Sequence, residues 1–114
     1  MSLYGQCYLV AFLALTEGPP GWMLCHGYPR FPDGSGRRFG HAWLETADGQ
    51  VVLETGEPCV LRRDVYYQDG EIEEAQVRRC TISEARAKLV ETGRYGPWEP
   101  DPYPDVLYGE VREL

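Results

Sequence analysis

The hydrophobic positions near the start of the chain predict a helix. Residues 5–16 are apolar almost all round, a pattern typical of a helix at the centre of a core. Gly5 or Gln6 begins this helix, and the run Gly18-Pro19-Pro20 ends it because glycine and proline terminate helices. Cys7 therefore lies in the first turn of the predicted helix.

Farther along the chain, the hydrophobic pattern changes to that of a β-hairpin over residues 38–56. Two runs rich in aromatic, aliphatic and β-branched residues flank Asp48-Gly49. This dipeptide favours a tight hairpin turn because glycine adopts positive φ freely. Side chains alternate along a strand, so His41, Trp43 and Glu45 share one face of the first strand.

The register of this hairpin decides which carboxylate lies near His41. With a two-residue turn, Glu54 faces Trp43 and is diagonal to His41, about 7–8 Å away at the backbone and within reach of a long side chain. A carboxylate there would bind one ring nitrogen and leave the other free to act as a base. A β-bulge would shift the register by one residue and make Thr55 or Glu57 the candidate instead.

The remaining patterns predict further strands separated by turns. Residues 21–28 and 75–81 predict strands, and residues 58–68 predict either a strand or a short helix. The turn-rich residues 29–36 precede the hairpin and are expected to border a substrate cleft. The acidic residues 71–74 are interpreted as a solvated patch.

The last predicted element is an amphipathic helix over residues 83–92. Thr81 and Glu84 match a capping box before it, and Gly93 fits its C-terminal cap. We expect Trp98, after the following turn, to pack on the body of the domain.

Length and composition indicate one α+β domain. A chain of 114 residues buries one modest core, and its 13 glycines and nine prolines imply many turns and little long helix. We expect an antiparallel sheet packed against a central N-terminal helix that carries Cys7, within a domain spanning residues 1–98. Alternating prolines in residues 99–114 predict an extended C-terminal tail.

The charge of the chain disfavours two classes of partner. Its net charge is −7, whereas nucleic acids and anionic membranes attract basic surfaces. The longest apolar run, residues 8–15, is far shorter than the roughly 20 residues of a membrane span. No lysine or arginine precedes Arg30, so a signal peptide is not expected.

The four cysteines show no Cys-x-x-Cys spacing, and we interpret them as reduced thiols of a cytoplasmic protein. A zinc site formed by Cys25, His26, Cys59 and Cys80 is a weak alternative. Zinc ligands usually come in close pairs on turns, and here only Cys25 and His26 are close. As neighbours on a strand they would point to opposite faces, so we expect no metal and no other cofactor. Because adjacent strand residues point to opposite faces and cannot easily meet, Cys25 and His26 are also only a weak alternative as nucleophile and base.

The position of Cys7 suggests a reactive thiol. A helix N-terminus carries partial positive charge and unpaired N–H groups, which stabilise a thiolate and can form an oxyanion hole. The alternative is that Cys7 is a small buried hydrophobic residue, which is common for a free cysteine. Together with His41 and Glu54, Cys7 completes the nucleophile, base and orienting acid of a thiol hydrolase.

In these residues the chain resembles the papain-like cysteine peptidases in minimal form, particularly their transglutaminase-like branch and small bacterial and phage proteins of that type. The resemblance covers residues 5–56 and is carried by Gly5-Gln6-Cys7, by the strand at 40–45 and by residues 48–55. In that family, a helix bearing the cysteine packs against an antiparallel sheet bearing a histidine and an acid. Cys7 then matches the nucleophile, His41 the base, and Glu54 the position usually held by Asp.

The resemblance implies a cysteine peptidase, amidase or transglutaminase-like enzyme acting on a peptide or protein-derived amide, isopeptide or ester. Gln6 and Trp43 are secondary candidates for contact with the substrate or its oxyanion. The chain departs from the family pattern at Tyr8, where papain-like enzymes often have Trp, and at Glu54. The alternative function is that of a catalytically inactive papain-like module of phage or bacterial origin that binds a protein partner.

Overall fold

The structure, a computed structural model, describes residues 6–31, 33–53, 59–100 and 102. Within these ranges the fold is α+β, as predicted, with three α-helices, a short 3-10 helix and a five-stranded antiparallel sheet. The elements in chain order are α1 (Cys7–Glu17), β1 (Met23–Gly27), β2 (His41–Glu45), β3 (Gln50–Leu53), β4 (Cys59–Arg62), α2 (Arg63–Asp69), the 3-10 helix (Glu74–Gln76), β5 (Arg78–Cys80) and α3 (Ile82–Thr92).

The strand order in the sheet is β4-β3-β2-β1-β5, which places β2 at the centre. Two buried clusters cover the opposite faces of this sheet. On the helix face, α1 and α3 cover Leu24, Ala42, Leu44 and Val52. The opposite face, which we call the tyrosine face, is covered by the two tyrosines of α2 and by the segment after it, and its sheet residues are Cys25, Trp43 and Val51.

Helix α1 lies on one face of the sheet and is not enclosed by the core. The side chains of Cys7, Ala11 and Leu15 are buried against the sheet, whereas Leu13 is 47% exposed. The predicted apolar N-terminal helix is therefore present, and it lies on one face of the sheet and not at the centre of the core. A nearly all-apolar helix can lie at the surface because burying one side satisfies most of its hydrophobic area.

The β2–β3 hairpin has a register that differs from the predicted one. Glu45 pairs with Val51, and the Thr46 N–H donates to the Gln50 carbonyl at 2.9 Å. Three residues, 47–49, form the loop, and Gly49 has a φ of +86°. The register predicted from a two-residue turn is thus wrong by one residue, because the chain forms a three-residue loop with glycine in the left-handed position.

The segment between β3 and β5 resolves an ambiguity in the sequence pattern. The predicted strand or short helix over residues 58–68 contains both, since β4 ends at Arg62 and α2 begins at Arg63. The acidic residues that follow are exposed but paired. Glu71 lies 3.2 Å from Arg30, and Glu74 lies 2.6 Å from Arg63. These glutamates therefore form an exposed, solvated patch, as interpreted, and they also form ion pairs with neighbouring arginines.

The predicted C-terminal helix is confirmed in detail. The Thr81 side chain accepts from the Glu84 N–H at 3.2 Å, and the Glu84 carboxylate accepts from the Thr81 N–H at 2.9 Å. Gly93 caps the helix in the left-handed conformation with a φ of 72°. Trp98 packs against the helix-face cluster, as expected. In the part of the chain that the structure describes, no helix is long and apolar enough to cross a membrane.

Candidate active site

Cys7 is the first residue of α1 and so lies in its first turn, as the sequence predicts. Gln6 is the N-cap residue, and its exposed side chain makes no capping hydrogen bond to the helix. Cys7 is only 4% exposed, and this burial raises the pKa of the thiol to about 11. The backbone N–H groups of Ala42, Tyr8 and Cys7 itself act in the opposite direction because they favour the thiolate. The thiol is therefore neutral at physiological pH.

His41 is the first residue of β2, and aromatic rings pack on its imidazole. The ring centroids of His41 and Phe39 are 5.6 Å apart, and those of His41 and Trp43 are 6.3 Å apart with the planes inclined by only 29°. The loss of water around this partly buried ring lowers its pKa to about 4. His41 is therefore a neutral imidazole at physiological pH.

Cys7 and His41 come from adjacent elements, but their side chains belong to different clusters. Cys7 packs in the helix-face cluster with Ala42, the residue that follows His41. The imidazole of His41 packs instead on Trp43, which belongs to the tyrosine-face cluster. Among the described residues, no hydrogen bond joins the Cys7 thiol to the His41 ring.

The remaining predicted site residues are Glu54, with its alternatives Thr55 and Glu57, and Trp43. Glu54 lies outside the described residues, as do Thr55 and Glu57, the candidates for the shifted register. Trp43 is 1% exposed, so its ring contacts protein side chains and not solvent.

Tyr66 is a residue near Cys7 that the sequence analysis did not identify. Its ring packs edge-on against Trp43, with centroids 5.4 Å apart. Burial raises the pKa of Tyr66, and the nearby thiols of Cys7, Cys59 and Cys25 raise it further. Tyr66 thus lies within electrostatic range of Cys7 although α2 covers the other face of the sheet. No local sequence pattern indicates this proximity, since it depends on how α2 crosses the sheet.

A buried carboxylate, Glu45, is the centre of a second polar cluster that the sequence analysis missed. Its Oε2 accepts from Trp43 Nε1–H at 3.0 Å and from the Tyr67 hydroxyl at 2.5 Å. Its Oε1 accepts from Arg79 Nε–H at 2.9 Å, and Arg63 Nε lies 3.5 Å away. The only sequence signal for this cluster was that a charged residue occupies the same strand face as Trp43.

The donors around Glu45 keep its carboxylate ionised. Burial acts to raise the pKa of Glu45, but the hydrogen bonds from Tyr67, Arg79 and Trp43 outweigh it and leave the pKa below its ordinary value. Arg79 also donates to the Tyr67 hydroxyl at 2.8 Å, so both partners of the carboxylate are themselves held in place. The result is a paired and hydrogen-bonded buried charge, the arrangement in which an ion is tolerated inside a protein.

The second histidine, His26, has an aromatic environment of its own. Its ring centroid lies 4.7 Å from that of Tyr8 and 4.9 Å from that of Trp98. Burial lowers the pKa of His26 to about 4, with a smaller contribution from His41. Its Nε2 is buried without a hydrogen-bond partner among the described residues. His26 packs on the helix face, whereas its neighbour Cys25 belongs to the tyrosine-face cluster, so the two do not form a nucleophile–base pair.

Within the described ranges, no group of three or more His, Cys, Asp or Glu side chains is arranged to hold a metal ion. An open depression of about 620 Å³ lies beside the hairpin loop and the start of α2, with Arg63, Tyr67 and Glu74 in its wall. Cys7 and His41 do not line it.

Comparisons of the chain with protein-family models, with curated proteins and with solved structures found no match. The resemblance to papain-like peptidases therefore stays a prediction made from the sequence.

Proposed function

We propose that this protein is a thiol-dependent hydrolase or acyltransferase that acts on a peptide or protein-derived amide, isopeptide or ester. Cys7 is the nucleophile and His41 is the general base, and the one-residue shift in the register of the β2–β3 hairpin makes Thr55 or Glu57 the candidate that orients His41 in place of Glu54. The observation that supports this assignment most directly is the position of Cys7. Its thiol lies at the start of α1 and close to the backbone N–H of Ala42, the residue that follows His41.

The titration behaviour of the two groups favours proton transfer during attack over a preformed ion pair. The pKa of Cys7 is raised to about 11 and that of His41 is lowered to about 4, so both groups are neutral near pH 7. A neutral imidazole accepts a proton, and it must approach the thiol to about 3 Å to do so. Catalytic hydrogen bonds are often long in free enzymes and tighten in the substrate complex.

The proposed reaction first acylates Cys7 and then transfers the acyl group from it. Sγ of Cys7 bonds to the carbonyl carbon as the thiol proton moves to His41, and backbone N–H groups at the start of α1 stabilise the oxyanion. The C–N or C–O bond then breaks, and His41 returns the proton to the leaving group, which produces a thioester. Water, or an amine or hydroxyl acceptor, then attacks the thioester carbonyl as His41 takes its proton. The C–S bond breaks, the acyl group leaves on the acceptor, and the proton returns to Sγ of Cys7.

The burial of Cys7 favours a second candidate function. A thiol that is 4% exposed and has a raised pKa is a poor nucleophile in the resting protein. The same observation fits a catalytically inactive module that binds a protein partner, in which Cys7 only packs against Ala42 and the sheet. The two candidates differ in one property, namely whether Cys7 forms an acyl adduct.

Burst kinetics with p-nitrophenyl acetate distinguish the two functions. The experiment uses a Cys59→Ser background because Cys59 is an exposed thiol that would react without catalysis. We expect a burst of nitrophenolate that Cys7→Ala and His41→Ala abolish. The matched controls, Cys80→Ala and His26→Phe, should retain it. A burst that survives both test variants, or no burst in the folded background protein, contradicts the enzymatic function.

A further inference from the structure

We propose that Trp43, held by the buried carboxylate of Glu45, is the positioning residue that sets the orientation of the His41 imidazole. This inference rests on the proposed function, in which His41 is the general base. A base must be held in one orientation for efficient proton transfer. In this site the orientation is set by an indole ring and, behind it, by a charged network on the tyrosine face.

The first link is the contact between the two rings. His41 and Trp43 are two residues apart on β2, so their side chains project from the same face of the strand. Their planes are inclined by 29° and their centroids are 6.3 Å apart, while Phe39 packs on the imidazole with centroids 5.6 Å apart. The imidazole thus rests between two aromatic side chains.

The second link fixes the indole itself. Trp43 Nε1–H donates to Glu45 Oε2 at 3.0 Å, and the carboxylate is held in turn by Tyr67 at 2.5 Å and Arg79 at 2.9 Å. Hydrogen bonds to a buried charged group are stronger than neutral ones. The rotation of the indole is therefore restrained at its polar edge.

The third link is the space that Gly27 leaves for the indole. Gly27 pairs with His41 across β1 and β2. A Cβ atom at Gly27 would lie 2.5 Å from Cη2 of Trp43, which is closer than real contacts allow. The far edge of the indole thus occupies the position of the missing side chain, so packing fixes the edge that the hydrogen bond does not reach.

Nitrogen NMR of the two histidines tests this inference in the full chain. Trp43→Phe keeps an aromatic ring but removes the N–H that Glu45 accepts. The matched control is Trp98→Phe, because Trp98 packs on His26 as Trp43 packs on His41. We expect Trp43→Phe to shift or broaden the imidazole ¹⁵N signals of His41 and leave those of His26 unchanged. Trp98→Phe should do the reverse.

The acylation rate provides the second readout. Misplacement of a catalytic group by about 1 Å costs on the order of 10²-fold in rate, so Trp43→Phe should slow the nitrophenolate burst by roughly that factor while Trp98→Phe leaves it unchanged. Tyr67→Phe is the second test variant if Trp43→Phe does not fold, since it removes a donor to Glu45 and leaves the indole intact. It should perturb the His41 signals in the same direction but less.

The outcomes separate this inference from the proposed function. His41 signals that stay at their wild-type positions in folded Trp43→Phe, or in folded Tyr67→Phe, overturn the positioning role. A wild-type protein without any burst, whose His41 signals nevertheless move in Trp43→Phe, overturns the enzymatic function but supports control of the imidazole by Trp43.

Discussion

The hydroxyl group of Tyr67 donates a 2.5 Å hydrogen bond to Oε2 of Glu45, although 22 residues separate them in the chain. Glu45 is only 6% exposed, so its charge depends on such donors. This bond connects α2 to the central strand of the sheet at the point where Trp43 is also bound.

Loss of this hydroxyl should destabilise the fold. Tyr67→Phe keeps the ring but removes a hydrogen bond to a charged group, and it should lower the free energy of unfolding by about 2 kcal/mol. The matched control is Tyr66→Phe on the same helix, because the Tyr66 hydroxyl makes no hydrogen bond within the described residues. Urea unfolding of both variants provides the comparison, and equal losses would show that the bond to Glu45 is not a significant source of stability.

The two histidines should make the fold sensitive to mild acid. The pKa values of His26 and His41 are lowered from 6.5 to about 4, chiefly by burial, so the folded state favours their neutral forms. Their stabilising contribution is complete above about pH 6.5 and is lost as the pH falls towards 4. At pH 5 the loss should be about 2 kcal/mol for each histidine.

Urea unfolding between pH 7.5 and pH 5 measures this effect. His26→Phe keeps the stacking on Trp98 but cannot take up a proton, so it should remove about half of the pH dependence. The pKa of Glu45 lies below its ordinary value of 4.5, so the contribution of its ionisation to the free energy of unfolding is complete above about pH 4.5. That contribution is lost only as the pH falls below 4.5 towards the lower pKa of the folded state. A free energy of unfolding that stays constant between pH 7.5 and pH 5 would contradict the burial of both imidazoles.

The loss of stability caused by adding a side chain at Gly27 should depend on the size of the side chain at position 43. Gly27→Ala places a Cβ against the indole and should cost roughly 1–3 kcal/mol through overpacking. Trp43→Phe removes the atoms that clash, so the same alanine should cost much less in that background. A double-mutant cycle measures the difference, and additive free energies would show that the two sites do not touch.

Alkylation of the four cysteines should follow their exposure. Cys59 is exposed, whereas burial raises the pKa of Cys7 to about 11 and also raises that of Cys25. Iodoacetamide at pH 8 should therefore label Cys59 first, the half-buried Cys80 more slowly, and Cys7 and Cys25 last. Peptide mass spectrometry of the folded protein gives the order. Rapid labelling of Cys7 below neutral pH would contradict the neutral thiol described here.

Local signals in the sequence predicted the helices whose ends are defined by residues close to them in the chain. The capping box at Thr81 and Glu84 and the left-handed Gly93 defined α3 because these interactions form within a single turn of chain. Helix α1 was predicted from its run of apolar residues and from the glycine and prolines that follow it, since its N-cap residue Gln6 makes no side-chain capping hydrogen bond.

The errors and omissions concern interactions between distant residues. The predicted hairpin register was wrong because Asp48-Gly49 fits either a two-residue turn or the end of a three-residue loop. A difference of one residue moves each side chain of the second strand to the opposite face of the sheet. The cluster around Glu45 could not be predicted because two of its three hydrogen-bond donors among the described residues, Tyr67 and Arg79, lie 22 and 34 residues away, on α2 and β5. The packing of α2 across the sheet and the pairing of β5 with β1 bring these donors to Glu45.

The most direct test of the proposed function is to identify the residue that carries the acyl group. The protein is mixed with p-nitrophenyl acetate, quenched in acid within the burst, digested and mapped by mass spectrometry, alongside His41→Ala. We predict a thioester on Cys7 in the wild type, formed although this thiol is buried, and none on Cys7 in the histidine variant. Acylation confined to Cys59, or equal acylation of Cys7 with and without His41, would contradict the assignment of Cys7 and His41 as nucleophile and base.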